Sequence, residues 1–426
     1  MRSIGRILLA ALFALWSTAA YAEEEDVTEF EGWEDTGEEK KEEKKEEKNE
    51  ETPTATETEV APAPAPAPTP AEPVRAPESH EGLLPSVYHQ YGSLAVTGVF
   101  QTRFDTRFVL DDVDDTEEVA FSFQRARIML DGHLVSENLR YFFQGDAGNP
   151  AGFILDMYLS WRFPGPGLTL RFGRFVPDFS LMLPRNKGDI DAINLPIYLV
   201  APRPGSFAPW RHIGLEASLQ ASEQITFKLG VFNGFWTDPY NLDPLVAYNN
   251  LLFVPGTPGN WTDNNKSKDV MLKAAFQPSK ELQLALHFWF GFPENNNDPD
   301  ENDFLAMGGP GVEYNNGKLH LLAEFMFRVV SYGEDGADPG SRTGLAFWAH
   351  AGYRMNDLVE GIFRIEWLEA DTENDEDMLM RFTLGPHFWI EDKHFRILVN
   401  MFIDLPLDSN TYEEVIGIQT QASVMW

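Results

Sequence analysis

The chain has 426 residues, no cysteine, and 67 acidic against 33 basic residues, a formal net charge of −34. Nucleic acid is excluded as a partner, because phosphate binding requires a concentrated basic face. Disulfides, thiol catalysis and thiolate metal sites are excluded with the cysteines.

Met1, Arg2 and Arg6 precede the apolar run Ile7 to Trp16 and then Ala20-Tyr21-Ala22. A positive start, a short apolar stretch and an Ala-x-Ala site form a secretory signal peptide. Residues 1–22 are therefore expected to be cleaved, with the mature chain starting near Glu23. The apolar run is too short for a helix that needs roughly twenty residues to cross a bilayer. No later segment qualifies, so the exported chain is either periplasmic or a barrel.

Residues 23–51 hold sixteen acids and five lysines. Glu38 to Glu51 repeats Glu-Glu-Lys-Lys without apolar residues, which allows i,i+4 pairs but offers no coiled-coil seam. Ala61 to Pro68 alternates Ala with Pro, a pattern that favours extended polyproline II. Residues 23–85 are thus expected to be a disordered acidic and Ala-Pro linker on the periplasmic side. A plain spacer and a tether to peptidoglycan or a periplasmic partner are both open.

From Tyr91 the texture changes to alternating apolar and polar residues. A period of two with one apolar face and one mixed face is what a wall between lipid and water requires. Leu282, Leu284, Leu286, Phe288 and Phe290 oppose Gln283 and His287; Val359, Phe363, Ile365 and Trp367 oppose Glu360, Arg364 and Glu366. Phe395, Ile397, Val399, Met401 and Ile403 oppose Arg396, Asn400 and Asp404, and Ile416 to Trp426 alternates in the same way. The strand around residue 125 breaks the rule, since Phe121 and Phe123 share parity with Arg125.

Short turns are expected at Ser136-Glu-Asn138, Pro164-Gly-Pro-Gly167, Ser222-Glu-Gln224, Pro278-Ser-Lys280, Asn315-Asn-Gly317, Met355-Asn-Asp357 and Glu391-Asp-Lys393. Longer links lie near 111–118, 146–151, 176–211, 236–267, 293–303, 332–342, 371–377 and 405–411. Their alternation predicts an all-β, antiparallel transmembrane β-barrel of about 16 strands over residues 90–426. Barrels of that size leave an aqueous channel. Residues 176–210 form the longest link without strand-like alternation, rich in proline and carrying Arg185, Lys187 and Arg203. So long a link is usually functional, and folded inward it would constrict the pore.

Parity places Arg103, Arg107, Arg125, Arg127, Arg140, Arg162 and Arg171 on the lumen side of the first five strands, with Asp105, Asp131, Asp146 and Asp156 among them. A positive excess on one wall steers anions, whereas arginines that only neutralise the carboxylates would not; both readings are open.

Phe123-Gln-Arg-Ala-Arg127, Tyr141-Phe-Phe-Gln-Gly-Asp146, Asp156-Met-Tyr-Leu-Ser160, Leu170-Arg-Phe-Gly-Arg-Phe-Val-Pro177 and Arg211-His-Ile-Gly-Leu-Glu216 occur in order. The series, within residues 90 to about 235, resembles the phosphate-selective porin O and P family. That resemblance implies a trimeric sixteen-stranded channel, a constricting third loop and basic residues that guide anions. By position it makes Arg125 and Arg127 the paired arginines of the second strand and Arg174 part of the segment entering the third loop. The chain departs from the family at Phe175, where a lysine is common, and in its acidic external links.

Acidic runs such as Asp111-Asp112 and Asp298 to Asp303 fit no EF-hand spacing, and no metal or cofactor is expected. His212, His287, His320, His350 and His387 share the lumen parity without a serine motif beside them, which makes polar filler a better account than catalysis. The sequence therefore predicts a non-enzymatic outer-membrane porin of a Gram-negative bacterium, contacting lipid and lipopolysaccharide and passing small hydrophilic solutes, anions such as phosphate foremost. A barrel that serves mainly as an envelope tether or surface-interaction platform is the alternative.

Overall fold

A computed structural model describes residues 87–89, 92–110, 116–147, 154–165, 167–185, 192–200, 207, 209, 211–234, 267–292, 304–331, 341–374, 377–391, 394–407 and 413–426. The signal, the linker through residue 85 and most external links lie outside the described residues.

A short strand β1 (Val87–His89) turns into the first of sixteen long ones. These are β2 (Gly92–Leu110), β3 (Thr116–Leu134), β4 (Ser136–Asp146), β5 (Ile154–Arg162), β6 (Leu168–Phe175), β7 (His212–Gln220), β8 (Ile225–Phe232) and β9 (Asp269–Phe276), followed by β10 (Leu282–Gly291), β11 (Phe304–Asn315), β12 (Leu319–Ser331), β13 (Arg342–Arg354), β14 (Val359–Glu369), β15 (Met378–Glu391), β16 (Phe395–Leu407) and β17 (Glu414–Met425). Each pairs antiparallel with its neighbours, and β17 pairs with β2 to close the sheet. The closed sixteen-stranded barrel matches the sequence expectation, and closure leaves no free edge. One helical turn, α1 (Ile197–Val200), lies between β6 and β7.

Six of the seven expected short turns lie at junctions between consecutive strands, whereas Ser136, Glu137 and Asn138, expected as a turn, already belong to β4. Leu134 pairs with Ser136 and the bend is made by Val135 at φ 63°, a left-handed conformation uncommon for a β-branched residue. The first link is shorter than expected. Thr116 to Glu118 already belong to β3, because β2 and β3 continue as a 19-residue hairpin with Arg107 paired to Glu118 at 3.1 Å. Likewise β16 runs to Leu407, into a stretch expected to be a link.

The outward face is apolar: Phe121, Phe123, Phe172, Leu229, Phe325, Phe363 and Leu384 are among its exposed side chains. This is the surface a barrel offers to lipid. No helix among the described residues is long and apolar enough to cross a membrane. Wall height is uneven. Strands β5 to β9 have eight or nine residues, whereas β11 to β17 have eleven to fourteen.

The parity conflict in β3 is resolved by a bulge. Thr102 pairs with Phe123 and Gln101 with Arg125, leaving Gln124 as the extra residue. Two residues facing one partner reset the alternation, so Phe121 and Phe123 point outward against Phe104 and Phe100, while Arg125 and Arg127 point inward. Deleting Gln124 is expected to restore a regular ladder and leave heat stability within about 0.5 kcal/mol of wild type. Deleting Ala126 should instead turn Arg125 toward lipid, at about 2–4 kcal/mol. Equal losses for the two deletions would refute the bulge.

The last residue sits on the seam. Gly98 N–H donates to Trp426 O at 3.0 Å and Trp426 N–H donates to Gly98 O at 3.2 Å. The indole lies so close over Gly98 that a Cβ there would come within 2.1 Å of it, so glycine is what lets the ring approach.

Candidate functional site

The described part of residues 176–210 packs on inward-facing side chains. Asp178, just past β6, receives Lys273 Nζ at 2.6 Å and is also paired with Lys228. Burial pushes its carboxyl up, but the two ammonium groups more than reverse this and hold it well below the usual carboxylate range. Leu181 N–H and Tyr198 O–H donate to the two oxygens of Glu324 on β12 at 2.6 and 2.7 Å. Trp348 Nε1 on β13 adds a third bond at 3.0 Å. Burial and the Glu324 carboxyl together push the Tyr198 hydroxyl well above its ordinary pKa.

Further along, Ile197 N–H donates to Glu366 at 2.7 Å and Arg364 donates to Asn194 O at 2.7 Å. Asn194 also receives Arg103 Nη1 at 3.0 Å and donates to Gln419 at 2.6 Å. The link thus touches inward-facing residues of β12, β14, β17 and β2. Between its polar anchors, Phe179, Leu181, Met182, Leu195 and Tyr198 bury against inward apolar residues such as Trp289, Met307, Met326 and Trp348. That apolar inner surface, unusual in an aqueous barrel, exists to receive the link; burying it contributes about 25 cal/mol per Å².

Among the expected constriction residues, Arg185 lies within 2.5 Å of Glu313 on β11. Lys187 and Arg203 lie outside the described residues.

The expected steering arginines other than Arg174 lie on the inward parity of β2 to β6, mostly beside carboxylates, whereas Arg174 shares the parity of the outward Phe172. Arg103 pairs with Asp105 at 2.5 Å, Arg127 with Asp146 at 2.7 Å, Arg140 with Asp131 at 2.7 Å and Arg171 with Glu216 at 2.8 Å. Arg107 meets Glu118 at the external end. Arg162 stands exposed at the opposite rim. Arg174 stands in the ladder opposite Met157 and Ile213, buried, and donates to the carbonyls of Ile154 and Leu155 at 3.0 and 2.7 Å. Its bonds therefore tie β6 to the start of β5.

Arg125 differs from the carboxylate-paired arginines around it. It donates to Gln101 Oε1 at 2.5 Å and forms no ion pair among the described residues. Its charged neighbours are Arg103, Arg127, Arg211 and Asp146. Partly exposed and flanked by three guanidinium groups that are each paired with a carboxylate, it adds an uncompensated positive charge among the described residues of this wall.

Sequence reasoning missed the anchors Glu324, Glu366, Asn194, Lys228 and Lys273, as well as Arg211, which grips Asp156 with two bonds at 2.8 and 2.9 Å. A signal for Glu324 was present: a lone acid on the inward parity of β12 between Leu322 and Met326 needs several polar partners, and its cross-strand neighbour Trp348 supplies only one.

Residues 205–400 match the family model described as beta-barrel porin-2, OmpL-like, a different porin description from the O and P family resembled by the earlier segment. No curated protein sequence matches the chain. Among solved structures, the fold is similar to the anion-selective porin from Comamonas acidovorans, with a TM-score of 0.58, 14% identity, and coverage of 79% of this chain and 100% of the porin. It is also similar to the outer-membrane channel DcaP of Acinetobacter baumannii, with a TM-score of 0.55, 9% identity, and coverage of 80% and 99%. OmpF of Salmonella typhi gives a TM-score of 0.55, 10% identity, and coverage of 80% and 100%. The fold is that of outer-membrane porins, and the protein is an outer-membrane barrel of a Gram-negative bacterium.

Proposed function

We propose that the protein is a passive, non-enzymatic pore that prefers small anions, phosphate among them, along the inner wall of β2 to β6, with residues 176–210 as its constriction. The observation that carries this reading is Arg125, a lumen-side guanidinium without an ion-pair partner among the described residues and surrounded by Arg103, Arg127 and Arg211. Such a group attracts anions from solution with its full charge, whereas its paired neighbours share theirs with a carboxylate and add to the field only in part. The likeness in fold to a porin whose name records anion selectivity supports the same choice. In this reading residues 1–22 leave as a signal, 23–85 remain a periplasmic linker, and the barrel assembles as a homotrimer amid lipid and lipopolysaccharide.

The test is the reversal potential of the purified protein in a planar bilayer under a salt gradient, repeated with phosphate. Anion preference with block by phosphate is expected. Arg125→Glu should lower the anion-to-cation permeability ratio about fivefold, the effect of roughly 1 kcal/mol of Coulomb energy per ion. Cation preference in the wild type, or an unchanged ratio in the variant, would overturn the assignment.

A further inference from the structure

Among the described residues, apolar side chains on the inner face are mostly covered by the link between β6 and β7, and one aromatic pair on the arginine-bearing wall stays partly exposed. Phe142 on β4 and Tyr158 on β5 are register partners on the lumen side, and their rings stack at 5.1 Å and 24°. Both stay partly exposed. Phe142 packs in turn on Val99, Met129 and Met425. The pair is bracketed by guanidinium groups, each also paired with a carboxylate: Arg140, the next inward residue on β4, is half exposed and bonded to Asp131, and Arg171, bonded to Glu216, lies 3.9 Å over the Phe175 ring and 5.3 Å from the Tyr158 ring centre.

Aromatic surface left facing water in a pore contributes nothing to the passage of a small, strongly hydrated ion, and exposing it costs free energy. Next to guanidinium groups it matches a solute that is charged at one end and flat and apolar at the other. We infer that the Phe142–Tyr158 pair with Arg140 and Arg171 is a recognition subsite for aromatic carboxylates within the anion pathway. The solute's ring packs on the exposed aromatic surface and its carboxylate takes charge-assisted bonds from the guanidinium N–H groups that Asp131 and Glu216 leave free. This rests on the anion-pore reading and narrows its solute class.

The full-length protein in a planar bilayer carries chloride current while benzoate or acetate, equal in charge, is added. Benzoate is expected to half-block the current at a concentration about fivefold below that of acetate, as one favourable aromatic contact implies. Phe142→Ala should bring the two concentrations together, and Phe142→Tyr should keep them apart. Resistance of the folded form to detergent on unheated gels shows that each variant is a closed barrel. Equal block by benzoate and acetate, with anion preference intact, overturns the subsite and leaves the pore standing. Absence of anion preference or of current overturns both.

Discussion

With Glu324 replaced by alanine, single-channel conductance is expected to rise and become noisy, and the barrel to unfold at lower temperature. The side chain is 1% exposed and accepts bonds from Leu181 N–H, Tyr198 O–H and Trp348 Nε1, two of them from residues 176–210. Hydrogen bonds to a carboxylate contribute about 1.5–3 kcal/mol each, and truncation leaves three buried donors without an acceptor. A loss of about 4 kcal/mol at this anchor is therefore expected. The remaining anchors at Glu366, Asp178 and Asn194 keep the link attached at other points, so fluctuation rather than full release should follow. Glu324→Gln retains the shape and one acceptor oxygen and should fall between the two. Wild-type conductance together with wild-type heat stability in Glu324→Ala would mean that the link is held without this carboxyl.

Ending the chain at Met425 is expected to cut the yield of closed barrel more than tenfold in refolding into detergent or lipid. Trp426 supplies both main-chain bonds to Gly98 and the ring that covers it. Two backbone bonds at about 1 kcal/mol each and an aromatic contact of similar size amount to roughly 3 kcal/mol, more than a hundredfold in the closing equilibrium. Trp426→Phe keeps the bonds and most of the contact and should recover most of the yield. A truncated chain that closes as well as wild type would show that β17 is held by its remaining ladder alone.

Much of this was legible in the sequence because a barrel wall obeys period two, and a charge set on one parity marks the inner face. The parities of β10, β14, β16 and β17 follow directly from their side chains. What parity cannot encode is register. Arg103 and Asp105 are two apart in one strand and their pairing is readable, but Arg171 meets Glu216 and Arg127 meets Asp146 only through a particular cross-strand alignment. The bulge at Gln124 reverses parity midway through β3 without a glycine or proline to announce it. The link's destination was likewise hidden, since the apolar inward residues Met307, Met326 and Trp348 read as strand composition until the segment that covers them is seen. The Phe142–Tyr158 pair escaped notice for a related reason: two aromatic residues in separate strands become one surface only after alignment.

The uneven wall also acts on the bilayer. At about 3.3 Å per residue and a tilt near 40°, the eight residues of β6, β8 or β9 rise only about 20 Å, short of the roughly 25 Å apolar band of an outer-membrane barrel. The thirteen residues of β12, β13 or β16 exceed it. Lipid beside the low flank has to thin by several ångströms while lipid beside the high flank does not, a mismatch that costs a fraction of a kcal/mol per ångström. The barrel therefore carries a built-in preference for its surroundings: its low side favours short-chained or compressible lipid, or another protein wall, and its high side favours ordinary bilayer.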